Sequence, residues 1–353
     1  MELELINRNT YALSGVYIEI TSRCNLRCKH CYNESGELKN ELTLDQIKNI
    51  IEDIPHKESA SFTISGGEPL LHPRFWGILD LVLQNNFARV LVITNGTLID
   101  ESTAQKFSER NCSIQVSVNG FTATQHDQLC GTGNFNRTMS GIDNLLKSGV
   151  KNIIVRCTIT QYTKNNLVEF TEFFSAKGIK KIAFGVLRKT GRELKNDDAL
   201  GLNGKELVDT INDLNSNATI KELKANDLLI DIPEVISLGC PLVFHDDSPI
   251  NLTPRIDTNG DVFLCQAFTN KLYSIGNIKT DRLKNLFKGI KFVNLINFFC
   301  TGLNYMHECE NCFWKESCGR GCIAVNLDHG SIQDTDGDCV YRREKMENDL
   351  FLE

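Results

Sequence analysis

The feature that most restricts this chain is a regular alternation of strand-like and helix-like segments between residues 16 and 190. Residues 16–20 (VYIEI), 61–65 (SFTIS), 90–94 (VLVIT), 113–118 (SIQVSV), 153–159 and 181–187 are short and rich in β-branched residues, as strands are. Residues 44–54 set Leu44, Ile47, Ile51 and Ile54 at helical spacing behind Thr43, a natural N-cap. Residues 73–85 open on Pro73, residues 101–110 form a short polar helix, and residues 136–147 and 167–176 are stopped by Gly149 and Gly178. Six βα units at a pitch of roughly 30 residues predict a parallel sheet with helices outside. Six units either close partly into a barrel or lie as an open sheet. In both cases ligands belong at the C-terminal ends of the strands.

Residues 21–32 (TSRCNLRCKHCY) follow the first strand at that end. Cys24, Cys28 and Cys31 have C-x3-C-x2-C spacing, which lets a short loop wrap three thiolates around one metal centre. Three is one short of the four ligands of a cubane iron–sulfur cluster, so one iron would be left open to another ligand. A zinc knuckle or a set of buried thiols would also use such cysteines, though zinc loops favour paired C-x2-C spacing.

The rest of the composition narrows the class. The net charge of −7 gives no footprint for nucleic acid. The first fifteen residues are acidic and lack the apolar core of a signal peptide, and no run of about 18 apolar residues occurs. Fourteen cysteines in such a chain point to a reducing compartment, hence the cytoplasm, and to metal ligation rather than disulfides.

Three more loops fall at the same end of the sheet. Gly66-Gly67-Glu68-Pro69 follows the second strand; two glycines permit close backbone approach, and the carboxylate can accept from an ammonium group or simply close a turn. Thr94-Asn95-Gly96-Thr97 and Ser117-Val118-Asn119-Gly120 follow the third and fourth strands. Each is ordinary loop chemistry alone; their shared position gives them weight.

The C-x3-C-x2-C loop and GGEP together resemble the paired signatures of the radical S-adenosylmethionine (radical SAM) superfamily. The resemblance implies a partial (β/α)6 TIM-type barrel and a [4Fe–4S] cluster on Cys24, Cys28 and Cys31. It implies SAM chelating the open iron, with Gly66 to Pro69 holding its amino group. His30 would lie beside the adenine, Tyr32 would belong to the cofactor-binding residues, Asn95, Ser117 and Asn119 would reach ribose or methionine atoms, and Arg156 is a candidate for the carboxylate. The segment HDQLCGTGNF (126–135) resembles a family loop that commonly carries an arginine where Cys130 stands. The change places a thiol near the radical site as a candidate hydrogen donor. Cys112 and Cys157 read as buried apolar residues.

From Gly239 cysteines take over, with a hairpin expected at residues 255–265 turning on Asn259-Gly260. Gly260-x4-Cys265, then Cys309-x2-Cys312-x5-Cys318-x3-Cys322 and Cys339, resemble a SPASM domain, the auxiliary-cluster module of many peptide-modifying radical SAM enzymes. A zinc ribbon would account for Cys309 to Cys322 only. The resemblance implies two auxiliary iron–sulfur clusters, one on Cys309, Cys312, Cys318 and Cys339, the other on Cys240, Cys265 and Cys322. The second set lacks a fourth cysteine; His245, Asp246, Cys300 or a substrate group would complete it. The expected division is a radical SAM core over 1–215, a bridge over 216–239, the SPASM domain over 240–345 and a tail over 346–353.

These resemblances imply a maturase that abstracts hydrogen from a precursor peptide and forms an oxidative C–C or thioether crosslink, with flavodoxin or ferredoxin as electron donor. With the first strand expected near residue 16, no leader-binding domain of the usual kind is expected before it, and leader recognition would need a separate leader-binding protein or another surface. A formylglycine-forming sulfatase maturase is the alternative, against which Gln266 stands where that family commonly has an aspartate base. A peptide epimerase or small-molecule dehydrogenase is a third.

Overall fold

The computed structural model describes residues 11–187, 190–195, 200–233, 250–303, 306, 309–318, 321–328, 339, 342–343 and 346–347. Cys240, His245 and Asp246, and the side chain of Cys300, lie outside the described residues.

Strands β1 (Tyr11–Leu13), β2 (Gly15–Glu19), β3 (Ser61–Ser65), β4 (Arg89–Thr94), β5 (Ser113–Ser117), β6 (Ile153–Ile159), β7 (Lys181–Val186) and β8 (Leu229–Asp231) are followed by β9 (Ile250–Leu252), β10 (Arg255–Ile256), β11 (Asp261–Phe263) and β12 (Gly276–Asn277). One ten-stranded sheet runs in the order β12-β11-β10-β2-β3-β4-β5-β6-β7-β8, and a small sheet pairs β1 with β9. From β10 through β2 to β8 every pairing is parallel. The sheet does not close, so the architecture is the partial barrel expected, with a C-terminal cysteine-rich region.

Helices α1 (Leu44–Asp53), α2 (Phe75–Leu83), α3 (Glu101–Ser108), α4 (Ala123–Cys130), α5 (Asn134–Lys147) and α6 (Leu167–Ala176) fill the crossovers. The first is closed by a capping box, in which Thr43 Oγ1 accepts from the Gln46 amide while the Gln46 side chain accepts from Thr43. Its buried face takes Ile47 and Ile51 from the apolar stripe of the sequence and adds Ile50. The end of the expected core forms α7 (Gly204–Ser216), and the residues expected as a bridge form α8 (Ala218–Ala225) and β8, which extends the sheet beyond β7.

The hairpin falls where expected. The β10 and β11 strands pair antiparallel around Asn259-Gly260, with Gly260 at φ +87°. Its place was not foreseen: β10 lies parallel against β2, with Arg255 opposite Tyr17 and Ile256 opposite Ile18. One continuous hydrophobic core therefore runs from Val16 in β2 through Ile256, Val262 and Phe263 into α9 (Leu283–Leu286) and α10 (Ile290–Leu303).

Candidate radical SAM site

The cysteine loop leaves the C-terminal end of β2 and is pinned from two sides. Arg27 turns back on its own loop, donating to the carbonyls of Cys24 and Leu26, both at 2.9 Å, and of Gly36 at 2.6 Å. Arg192, in the short turn Gly191–Lys195 after β7, donates to the carbonyls of Cys28 at 2.6 Å and Ser35 at 2.9 Å. Gly191 lies so close that a Cβ there would stand 2.2 Å from the Tyr32 carbonyl. Neither arginine was singled out from sequence: Arg27 is one of the unspecified residues between Cys24 and Cys28, and Arg192 lies far in sequence from the loop it holds.

The two glycines of GGEP close on the cysteine loop itself. A Cβ on Gly66 would lie 2.4 Å from the Thr21 carbonyl, and one on Gly67 2.2 Å from the Arg23 carbonyl. That contact lets the Gly67 and Glu68 amides donate to Thr21 and Arg23 at 2.7 and 2.8 Å. Glu68 is fully buried, and its carboxylate accepts from the Thr94 hydroxyl at 2.8 Å and from the amides of Asn95 at 2.8 Å and Leu70 at 3.2 Å. Burial pushes its pKa up to about 7 against the pull of those three donors. The Glu68 side chain thus ties the loop after β3 to the loop after β4. What GGEP offers a ligand is its backbone.

Asn95 reaches the cysteine loop, donating to Asn25 Oδ1 at 3.0 Å, and its carbonyl accepts from Thr138 of α5 at 2.9 Å. Ser117 ends β5 half-buried. Asn119 is a hub. Its Oδ1 accepts from the Thr158 amide at 3.1 Å, so its NH2 group faces Cys130 Sγ at 3.3 Å and His30 Nε2 at 3.4 Å. Its own amide donates to His126 Nδ1 at 3.1 Å. His30 Nε2 is therefore the acceptor, and the Nδ1 proton is buried without a partner among the described residues. Burial, then the charges of His126, Arg156 and Arg192, lower the His30 pKa to about 4. Arg156 lies over Gly185 of β7, 2.1 Å from where a Cβ would be.

The HDQLCGTGNF segment is helix α4 and a two-glycine turn rather than a loop. Asp127 accepts from the amides of Gly133 at 2.6 Å and Phe135 at 2.8 Å. Cys130 is buried beside Leu129 and Leu200 and hydrogen-bonds Cys28. Tyr32 directs its hydroxyl away from the loop, to Glu19 Oε1 at 2.6 Å.

The donor set fits an iron–sulfur cluster. The thiols of Cys24, Cys28 and Cys31 are within reach of one another's charge, and burial pushes Cys24 up to about 12. Unmetallated, these thiols resist ionisation; a cationic cluster offsets that resistance. Among the described residues no three His, Cys, Asp or Glu side chains converge closely enough for a single ion. The orphaned His30 Nδ1–H, buried on the same loop, is a donor in need of an acceptor.

Comparison with known families decides the matter. Residues 18–174 match the radical SAM superfamily and residues 253–313 match the SPASM iron–sulfur cluster-binding domain. The chain carries a radical SAM domain joined to a SPASM domain. The first of these binds a [4Fe–4S] cluster and SAM, and the second binds auxiliary iron–sulfur clusters. Among curated relatives, the mycofactocin maturase MftC of Mycobacterium tuberculosis (strain ATCC 25618 / H37Rv) is 26% identical over 347 residues, covering 91% of this chain and 81% of that protein. The cysteine-type anaerobic sulfatase-maturating enzyme of Clostridium perfringens (strain 13 / Type A) is 23% identical, covering 86% of each. In fold, the chain matches anSMEcpe with bound AdoMet at a TM-score of 0.73 and 21% identity, over 94% of this chain and 92% of that one. It matches Streptococcus suis SuiB bound to precursor peptide SuiA at a TM-score of 0.74 and 17% identity, over 93% and 75%.

In the C-terminal cysteine-rich region, Cys265 follows β11 and packs half-buried on the core, as does Cys322. Cys309 is buried in it. Arg342 is within reach of the charges of Cys309, Cys318 and Cys322, whereas Cys312 and Cys339 both hydrogen-bond Arg343. Cys112 and Cys157 are buried in the core of the radical SAM domain. No described helix is long and apolar enough to cross a membrane.

Proposed function

We propose that this chain is a peptide maturase that forms an oxidative C–C or thioether crosslink in a ribosomally made precursor. The observation that carries the reading is the union, in one chain, of the closed Cys24/Cys28/Cys31–GGEP site with a SPASM domain, matched along 91% of its length by a peptide maturase. Cys24, Cys28 and Cys31 hold the [4Fe–4S] cluster, which with bound SAM supplies a 5′-deoxyadenosyl radical for hydrogen abstraction. The chain's own residues bind and orient. The Gly66–Pro69 backbone holds the methionine amino group, Arg156 the carboxylate, and His30, the Tyr32 backbone, Asn95, Ser117 and Asn119 the adenosine. Arg27 and Arg192 keep the loop in shape. In the SPASM domain Cys309, Cys312, Cys318 and Cys339 hold one auxiliary cluster, and Cys240, Cys265 and Cys322 the other. A flavodoxin or ferredoxin in the cytoplasm delivers the electron.

Gln266, exposed beside Cys265, favours crosslinking over formylglycine formation, since a carboxamide cannot act as the base an aspartate supplies. Cys130 keeps epimerisation open as a second reading, as a thiol beside Cys28 can return a hydrogen atom to a substrate radical.

The test is anaerobic reconstitution followed by incubation with a short peptide encoded beside the gene. About twelve irons per chain are expected for three cubanes, and a peptide lighter by two hydrogens. Unchanged peptide mass with deuterium uptake from solvent would assign the epimerase instead. Conversion of a cysteine to formylglycine in a sulfatase-derived peptide, with sulfur replaced by oxygen and two hydrogens lost, would assign the sulfatase maturase. SAM cleavage that survives Cys24→Ala, Cys28→Ala and Cys31→Ala would refute the site.

A further inference from the structure

Two segments that carry cluster cysteines flank one buried ion pair. Arg255, the first residue of β10, meets Glu19 at the C-terminal end of β2 through two parallel bonds, Nε to Oε1 at 2.8 Å and Nη2 to Oε2 at 2.9 Å. Their side chains are 5% and 3% exposed. The remaining guanidinium nitrogen, Nη1, donates to the carbonyl of Phe268 at 2.8 Å, three residues beyond Cys265. On the far side, Glu19 Oε1 also accepts from the Tyr32 hydroxyl, one residue beyond Cys31. The Tyr32 hydroxyl lies 3.0 Å from that of Tyr17, which donates to Ser65 Oγ at 2.7 Å, next to Gly66. The guanidinium stands over the rings of Tyr32 and Phe263 at 5.6 and 5.2 Å.

A buried pair is a poor device for stability alone, because desolvation offsets much of its Coulomb gain and apolar residues of similar volume would hold two strands as well. This pair spends every remaining bond on the two cluster segments. A second arginine bridge joins the same two regions with no such contacts: Arg282 binds Asp53, linking the start of α9 to the end of α1.

We propose that Arg255 is a positioning residue: from one buried cation it fixes the turn after Cys31, through Glu19 and the Tyr32 hydroxyl, and the segment after Cys265, through the Phe268 carbonyl. The inference rests on the reading that Cys31 and Cys265 are cluster ligands. A lysine at 255 would keep the charge but not the planar fork that makes all three bonds at once.

The test uses the full chain, reconstituted anaerobically, with iron content, the EPR spectra of the reduced protein with and without SAM, and the thermal unfolding midpoint as readouts. Arg255→Lys should retain the wild-type iron content yet change the EPR signals of both the SAM cluster and the auxiliary cluster. It should also weaken SAM binding about tenfold, the scale of one lost charge-assisted hydrogen bond. Tyr32→Phe should change the SAM-cluster signal alone. Arg282→Met should lower the unfolding midpoint and leave both signals as they were. Unaltered spectra in Arg255→Lys, equal spectral changes in Arg282→Met, or a SAM-cluster signal indifferent to Tyr32→Phe would each overturn the proposal. Full iron content with unaltered variant spectra overturns it alone; a wild-type chain that takes up no iron overturns the cluster reading as well.

Discussion

Arg192 Nη1 donates to the carbonyl of Cys28 at 2.6 Å across 164 residues of sequence. The same guanidinium reaches the Ser35 carbonyl, and the Arg192 amide donates to the Cys31 carbonyl at 2.9 Å. The last parallel unit of the sheet thereby clamps the first loop. In Arg192→Met the loop loses two charge-assisted bonds, each worth about 1.5–3 kcal/mol. Iron retained after gel filtration should fall by about one cluster's complement, with the far-UV circular dichroism unchanged.

Gly67 and Gly77 make a matched pair. A Cβ at Gly67 would lie 2.2 Å from the Arg23 carbonyl and 3.0 Å from Cys24 Cβ, while one at Gly77, inside α2, meets nothing within 4 Å. Gly67→Ala should push the GGEP turn off the cysteine loop and abolish SAM cleavage. Gly77→Ala should raise stability by about 1 kcal/mol through helix propensity and leave cleavage intact. Activity assays and denaturant midpoints on the two variants check both halves.

His126 is buried, and burial lowers its pKa to about 4. A folded-state pKa below the unfolded value of about 6.5 means that the unfolded chain binds more protons between those values. Stability from this group is complete above pH 6.5 and is lost as the pH falls toward 4, by at most about 3 kcal/mol. His126→Asn retains an acceptor for the Asn119 amide and should flatten that part of the stability–pH curve, measured by urea unfolding of the metal-free chain.

Asp53 is the buried partner of Arg282, which donates to it at 2.6 and 2.9 Å. Burial pushes its carboxyl up, but Arg282 and the Lys284 amide outweigh this and hold it below the usual range. Its contribution is therefore present above about pH 3.8 and is lost as the pH falls through the folded value. Asp53→Asn should cost about 1–3 kcal/mol at neutral pH, read as a lower unfolding midpoint.

Most of the fold was legible because period and punctuation agree. The six strands from β2 to β7, the Thr43 cap and the Asn259-Gly260 turn each follow from local chemistry that tertiary structure does not override. Strand β8 was not legible: three residues are too short to show a period of their own and are strand only because β7 offers an edge. Helix α4 was hidden inside a loop-like motif whose glycines come after it. At the site, the cysteines and GGEP were plain, but for Glu68 the sequence left open an ammonium ligand or a turn, and its carboxylate accepts from three protein donors. Arg192 and Arg255 carry no local signal, since their partners lie far away in sequence. Glu19 did carry one. An acidic residue inside the apolar strand VYIEI implies a buried partner, and that partner is Arg255.

The parallel pairing of β10 with β2 makes the two domains inseparable by simple truncation. A chain ended before residue 250 would bare the β2 edge and uncover the apolar side chains that Ile256, Val262 and Phe263 now seal. An exposed apolar edge of that kind recruits other chains. A chimera meant to give this radical generator a new substrate domain would have to import a hairpin able to continue the sheet, together with an arginine in register opposite Tyr17.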